Sequence, residues 1–196
     1  MRVLERVVER AKSAGDTDIV VTTAETSPND AIAEWCRREG VRCFRGEESD
    51  LLGRHRAVAA ETGVDRLVRI TGDCPFVPPS EIDRLLAEQA ESDARYVTNV
   101  IETMPIGVGV DVIDVALLDE LAALGETHPV LRLRENPEEW GTAFSPNPDW
   151  ESYADAHVAV DTPSDYWTLT DAVAAVGDDS KAVTEWVAAD RATDTA

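Results

Sequence analysis

The 196-residue sequence predicts an α/β fold, a mostly parallel sheet with helices on both faces. Three observations predict it. Short runs of β-branched and apolar residues alternate with stretches of helical periodicity from one end to the other. Two of those runs end on a carboxylate that a proline soon follows, Arg69-Ile70-Thr71-Gly72-Asp73-Cys74-Pro75 and His157-Val158-Ala159-Val160-Asp161-Thr162-Pro163. In an open α/β sheet such strand ends face the ligand crevice. Finally, no repeat, low-complexity tract or linker interrupts the alternation, so residues 1–196 read as a single domain.

The elements follow in order. Val3, Leu4, Val7, Val8 and Ala11 form an apolar stripe at helical spacing, and Gly15 ends that helix. Asp18 to Thr23 reads as a buried strand. Ser27-Pro28 opens a helix over Asn29 to Glu39. Val41 to Phe44 is a strand behind Gly40, Asp50 to Thr62 a helix stopped by Gly63, and Leu67 to Thr71 the next strand. Pro78-Pro79 leads into a helix over Ser80 to Ala90. Strands are expected at Arg95 to Thr98 and Val108 to Ile113, and helices at Ala116 to Ala123 and Pro129 to Glu135. Asp149 to Ala156 is a polar connection and His157 to Val160 a strand. Thr162, Pro163 and Asp165 spell a capping box for the next helix, and Ser180 to Ala189 makes the last one. The series begins with a helix, although the first helix of a βαβ chain ordinarily returns from a strand. The sheet is therefore expected to lack its first strand, as in an N-terminally truncated domain.

A formal net charge of −21, with Lys12 and Lys181 the only lysines, speaks against nucleic acid and anionic lipid as partners. The acids are scattered, as on a surface adapted to high salt, where screening relieves self-repulsion. No apolar run is long enough to span a bilayer, so the cytoplasm is the expected location. Cys36, Cys43 and Cys74 are odd in number and lack C-x-x-C spacing, which disfavours a disulfide framework or a zinc ribbon. The P-loop, G-x-G-x-x-G, H-E-x-x-H and G-x-S-x-G patterns are absent.

The chemistry therefore rests on the two strand-end acids. Gly72 lets the backbone turn sharply before Asp73. Asp73 could also cap the following helix, but Asp161 is spared that duty because Thr162 supplies the capping oxygen. Converging there, Asp73 and Asp161 would make a site for Mg²⁺, an ion that fills its shell from water and substrate phosphates. That arrangement suits nucleotidyl transfer. Among the sparse cations, Arg45, Arg56 and Arg69 suit ion pairs, whereas Arg54 opens a helix and could grip a phosphate or carboxylate. His128, Asn99 and Asp111 could each hydrogen-bond a sugar, or satisfy local structure.

Arg-Ile-Thr-Gly-Asp-Cys-Pro (69–75), Tyr-Val-Thr-Asn (96–99), Asp-Val at 111, Arg-Glu-Asn-Pro (134–137) and Val-Asp-Thr-Pro (160–163) occur in an order that resembles the cytidylyltransferases of sugar activation. The likeness is strongest to the spore coat polysaccharide biosynthesis protein F branch, and acylneuraminate and 3-deoxy-manno-octulosonate cytidylyltransferases are more distant. The resemblance covers nearly the whole chain. It implies a Rossmann-like nucleotide-diphospho-sugar transferase fold and attack of a sugar hydroxyl on the α-phosphate of CTP. It also implies metal-binding roles for Asp73 and Asp161, nucleotide proximity for Thr71 and Gly72, and sugar-side positions for Arg54, Asn99, Asp111 and His128. The sequence departs from the family where a strand and a Gly/Arg/Lys-rich loop should precede residue 1. Gly53 also precedes Arg54 where relatives often carry Asp, and Glu126 is one place removed from the position before His128.

The partners so implied are CTP and a sugar, without nucleic acid or membrane, and homo-oligomers are compatible with the sequence. Two other readings compete with this Mg²⁺-dependent nucleotidyltransferase. One is a non-catalytic relative that binds a sugar phosphate or another subunit. The other is a glycosyltransferase of the same fold, for which the expected Asp-x-Asp is wanting, since Asp111-Val112-Ile113-Asp114 has the wrong spacing.

Overall fold

Alternation of side chains along short strands, and apolar stripes on the helices between them, set the layers of the molecule. A computed structural model describes residues 1–15 and 18–194. Helices α1 (Val3–Ser13), α2 (Asp30–Glu39), α3 (Leu51–Thr62) and α4 (Pro79–Glu91) alternate with strands β1 (Val20–Ala24), β2 (Arg42–Gly46) and β3 (Arg66–Arg69). Strands β4 (Tyr96–Thr98) and β5 (Asp111–Asp114) follow, then α5 (Val115–Ala123), α6 (Leu131–Glu135), α7 (Pro137–Trp140) and β6 (Thr142–Phe144). Helices α8 (Pro163–Val176) and α9 (Ser180–Asp194) complete the order. Helices α2 and α3 stop where Gly40 and Gly63 take left-handed backbone. The capping box between Thr162 and Asp165 is formed.

The strands form two sheets, β1-β2 and β3-β5-β4-β6. Pairing is parallel for β1 with β2 and for β4 with β6. Strand β5 runs antiparallel between β3 and β4, a departure from the expected parallel run. The cause is local. The chain between β4 and β5 contains no helix, and Asn99 and Val110 clamp its ends, Asn99 Oδ1 accepting from Val110 N–H at 2.7 Å. A connection of that kind returns the chain alongside itself. The expected strand over His157 to Val160 is also absent. In its place is one parallel bridge between His157 and Ile106.

Adjacent strand residues point to opposite layers. Val97 and Val112 pack with Ile82 and Leu85 of α4, while Tyr96 and Ile113 pack with Leu52 of α3 and Leu117 and Leu121 of α5. Such two-sided burial asks for apolar residues at every strand position, as the sequence of β4 and β5 largely supplies. A further cluster built on Phe76, Trp150, Val158 and Leu169 holds α8 and α9 against the carboxyl end of the larger sheet. No helix among the described residues is long and apolar enough to cross a membrane.

Candidate active site at the carboxyl end of β3

Strand β3 ends at Arg69, and Thr71 to Cys74 turn sharply behind it, the Cys74 N–H donating to the Thr71 carbonyl at 3.2 Å. The Asp73 carbonyl then accepts from the Val160 N–H at 2.9 Å. This single bond fastens the turn carrying Asp73 to the residue before Asp161. Upstream, Ile106 N–H donates to Ala156 and Val158 N–H to Ile106, at 3.0 and 2.7 Å. Gly107 makes that approach feasible. Its φ is +103°, and a Cβ there would stand 2.5 Å from the Val158 carbonyl carbon.

The Asp161 carboxylate is half exposed and takes no part in the helix cap, whose donors go to Asp165. It lies 2.9 Å from His157 Nε2, off the direction of a hydrogen bond. His157, Asp161 and Asp165 offer ligand atoms within 4.8 Å of one another. His157 escaped the sequence reading because it sat in a presumed strand. The Cys74 thiol lies beneath the two acid-bearing turns. Burial pushes its pKa up to about 12, and the charges of Asp73 and Asp161 add to that rise although the Thr71 hydroxyl opposes it. Cys74 is therefore a protonated, buried thiol rather than a nucleophile. Thr71 Oγ1 is 2.9 Å from its sulfur, and Gly72 is exposed.

Beside this mouth lies a compact cationic group. Arg69 and Arg134 both donate to Asp111, Arg69 at 2.8 Å. Tyr96 OH and Thr98 Oγ1 donate to the same carboxylate at 2.6 and 2.8 Å. Burial alone would raise the pKa of Asp111, and the two guanidiniums with the Tyr96 bond more than reverse it, so the net shift is downward. His128 accepts at Nδ1 from the Val130 and Leu131 N–H groups, each at 3.3 Å. Its neutral ring, assigned from those bonds, carries its proton on Nε2. Burial first, then Arg69 and Arg134, lower its pKa. His55 donates from Nδ1 to the Leu51 carbonyl, and burial brings its pKa to about 4. Arg54 Nε is buried with no hydrogen-bond partner among the described residues.

The sugar-side expectations thus divide. Arg54 and His128 keep donor capacity. Asp111 is 1% exposed with its oxygens engaged by four donors, so it fastens β5 to β3, β4 and α6. Asn99 is fully buried. Its amide donates to Glu81 and to the Val108 carbonyl and accepts from Val110, which closes the β4–β5 connection instead. Arg45 and Arg56 make the expected ion pairs with Asp30 and Asp119. Arg134, which opens the Arg-Glu-Asn-Pro run, joins this group through Asp111 and the Tyr96 hydroxyl.

The model of a family described as cytidylyltransferase matches residues 1–173. The spore coat polysaccharide biosynthesis protein SpsF of Bacillus subtilis is 26% identical over 181 residues, covering 86% of this chain and 74% of that protein. Among solved structures, a cytidylyltransferase from Leptospira borgpetersenii superposes with a TM-score of 0.87 at 24% identity, over 97% of this chain and 84% of the other. A CMP-2-keto-3-deoxy-manno-octonic acid synthetase complexed with CTP gives 0.63 at 15% identity, covering 88% of each chain. At those identities the two structures show a shared Rossmann-like nucleotidyltransferase fold.

Proposed function

Because that match takes in residues 1–173 of 196, the chain belongs to the cytidylyltransferase family, and from it we propose that the protein transfers CMP from CTP to a sugar. In this reaction a sugar hydroxyl oxygen bonds to the α-phosphorus, the bond from that phosphorus to the bridging oxygen breaks, and pyrophosphate leaves with the electron pair. The hydroxyl proton is released. The name of the Bacillus subtilis relative supports surface polysaccharide synthesis as the setting, and the cytoplasm is the location we propose.

The observation that supports this reading is the Val160–Asp73 backbone hydrogen bond, which fastens the turn carrying Asp73 to the residue before Asp161. Asp73 and Asp161 would hold Mg²⁺, since carboxylate oxygens are the donors a hard cation takes and Asp161 has no competing partner among the cap donors. The bound ion would offset the charge on the transferring phosphoryl group. Gly72, exposed and without a side chain, lets a phosphate approach the backbone beside Thr71. Arg54 and the Nε2–H of His128 supply donors on the sugar side, in the positive field of Arg69 and Arg134.

Mn²⁺ titration followed by electron paramagnetic resonance, with pyrophosphate release from CTP across a sugar panel, tests the assignment. Asp73→Asn and Asp161→Asn should each weaken Mn²⁺ binding by about tenfold or more and abolish release. Wild-type affinity and rate in both variants would remove the metal site. The division of the strands into two sheets favours one other reading, a module that binds sugar phosphate or another subunit without turnover. CTP binding in the presence of Mg²⁺ with no pyrophosphate from any sugar would select it.

A further inference from the structure

The segment leading into α8 gathers three side chains of metal-ligand type, His157, Asp161 and Asp165. Asp73 does not belong to that group. The first two precede the helix, which begins at Pro163, so helical spacing does not align them. Three backbone restraints do. The Ile106 backbone grips Ala156 and Val158 on either side of His157, and the Asp73 carbonyl holds the Val160 N–H next to Asp161. The capping box then fixes Asp165. It occupies only one carboxylate oxygen. Asp165 Oδ2 accepts from the Asp161 and Thr162 N–H groups at 3.1 and 2.7 Å and from the Thr162 hydroxyl at 2.9 Å. Oδ1 accepts from no donor among the described residues.

The bland account is an ion pair between His157 and Asp161. The geometry is against it. His157 Nε2 is buried and has no hydrogen-bond partner among the described residues, although an Asp161 oxygen stands 2.9 Å away. A ring nitrogen bonds along one in-plane direction, and that direction misses the oxygen. Buried polar atoms left in this state are rare and ask for a cause. Two ligand atoms that face a common third atom, and not each other, stand in this way. The separation agrees. With bonds of about 2.1 Å, neighbouring ligands of a six-coordinate ion are about 3.0 Å apart and opposite ones about 4.2 Å. The three ligand atoms lie within 4.8 Å of one another, so small side-chain rotations close the shell. Asp161 is the movable member, with its side chain 52% exposed against 17% for His157. Its rotation opens Nε2 to an ion from solvent. A net charge of −21 draws divalent cations of every kind, so the nitrogen decides which one stays. Mg²⁺ takes oxygen ligands. An imidazole beside two carboxylates suits first-row transition ions.

We infer that His157, Asp161 and Asp165 form a site for a divalent transition ion such as Zn²⁺, Co²⁺ or Ni²⁺, with water completing the shell. The site is separate from the Mg²⁺ pair of Asp73 and Asp161, although one acid is common to both. Its ion ties the segment bridged to Ile106 to the first turn of α8. It does not depend on the catalytic reading.

The test titrates Zn²⁺ into the untagged 196-residue chain. Calorimetry gives the affinity, and nuclear magnetic resonance follows the ring nitrogens of the three histidines, His157 being assigned through His157→Gln. Zn²⁺ should move the His157 Nε2 resonance and leave those of His55 and His128 in place, and excess Mg²⁺ should move none of them. His157→Gln and Asp165→Asn should each weaken Zn²⁺ binding by about tenfold or more. Asp73→Asn should leave it unchanged. A thermal melt shows whether Asp165→Asn keeps the fold, and His157→Gln decides the matter if it does not. A His157 nitrogen unmoved at saturating Zn²⁺, or wild-type affinity in His157→Gln, would overturn the site. Loss of Zn²⁺ in Asp73→Asn would merge this ion with the Mg²⁺ pair and overturn the separation. Displacement of Zn²⁺ by equimolar Mg²⁺ would overturn the ion class. A chain that releases no pyrophosphate from any sugar can still pass every arm, so the two readings fail separately.

Discussion

Replacing Asp111 tests whether the acid that sequence patterning offered as a sugar contact is a fastening. Its side chain is 2% exposed, and those of its partners Arg69 and Arg134 are 14% and 23% exposed. Asp111→Ala strands two guanidiniums and the Tyr96 O–H donor, whereas the Thr98 hydroxyl keeps the Val110 carbonyl at 3.1 Å. Removing one side of a buried ion pair typically costs about 3–5 kcal/mol. For a chain of this size about 1 kcal/mol shifts Tm by roughly 2–4 °C, so Tm should fall by about 6–20 °C. Against a net stability of roughly 5–15 kcal/mol this is a large fraction of the total. Urea titrations of wild type and variant measure the difference directly. Its pH dependence has a fixed sign. Burial alone would raise the pKa of Asp111, but Arg134 and Arg69 hold the folded pKa below the ordinary aspartate value, so the stabilisation is fully present above that ordinary value and fades as pH falls through the folded pKa. The gap between wild type and Asp111→Ala should stay constant from neutral pH to about 4 and narrow below it. A loss under about 1 kcal/mol at neutral pH, the worth of an exposed pair, would refute the fastening and return Asp111 to the list of sugar ligands.

Three more outcomes are expected. Gly107→Ala places a methyl 2.5 Å from Val158 backbone at a φ of +103°, so it should lower stability and Mn²⁺ affinity together, by displacing the chain before Asp161. Unchanged Mn²⁺ affinity would dissociate Gly107 from the site. The Cys74 thiol, with its pKa near 12, should resist dithionitrobenzoate in the native state and react on unfolding, and Cys74→Ala should keep turnover. Rapid native labelling would contradict its burial. With a formal net charge of −21, stability should rise from about 0.1 to 1 M KCl as the screening length shortens from roughly 10 to 3 Å, and a flat or falling urea midpoint over that range would oppose the high-salt expectation.

What the sequence disclosed was governed by local rules. Gly40 and Gly63 end helices because left-handed backbone suits glycine, and Thr162 with Asp165 forms a cap whose atoms all lie within four residues. What it withheld depended on partners far along the chain. Thr142–Phe144 is too short to declare itself and exists as a strand because β4 offers an edge. His157–Val160 has strand-like residues, yet it joins the sheet through a single bridge, since Asp73 and Ile106 take up its backbone groups. Asn99 and Asp111 looked like ligand readers because polar residues at strand ends usually meet solvent. Glu81 and Arg134, which bury them, lie 18 and 23 residues away.

The charge distribution links these features. The acids are spread over a surface where salt screens them, whereas Arg69, Arg134 and His128 gather around one buried carboxylate at the mouth formed by β3 and β5. Asp111 opposes that positive field at His128, whose pKa is lowered by burial first and then by Arg69 and Arg134. A polyanion approaching the mouth therefore meets local attraction within a repulsive whole. At about 1 M salt, where screening acts beyond roughly 3 Å, the distant acids fade while contacts at hydrogen-bond distance persist. On that balance, affinity for CTP with Mg²⁺ should fall less steeply with salt than ion-pair counting suggests. Arg134→Gln, which removes a cation from the cluster, should weaken sugar-phosphate binding more at low salt than at high.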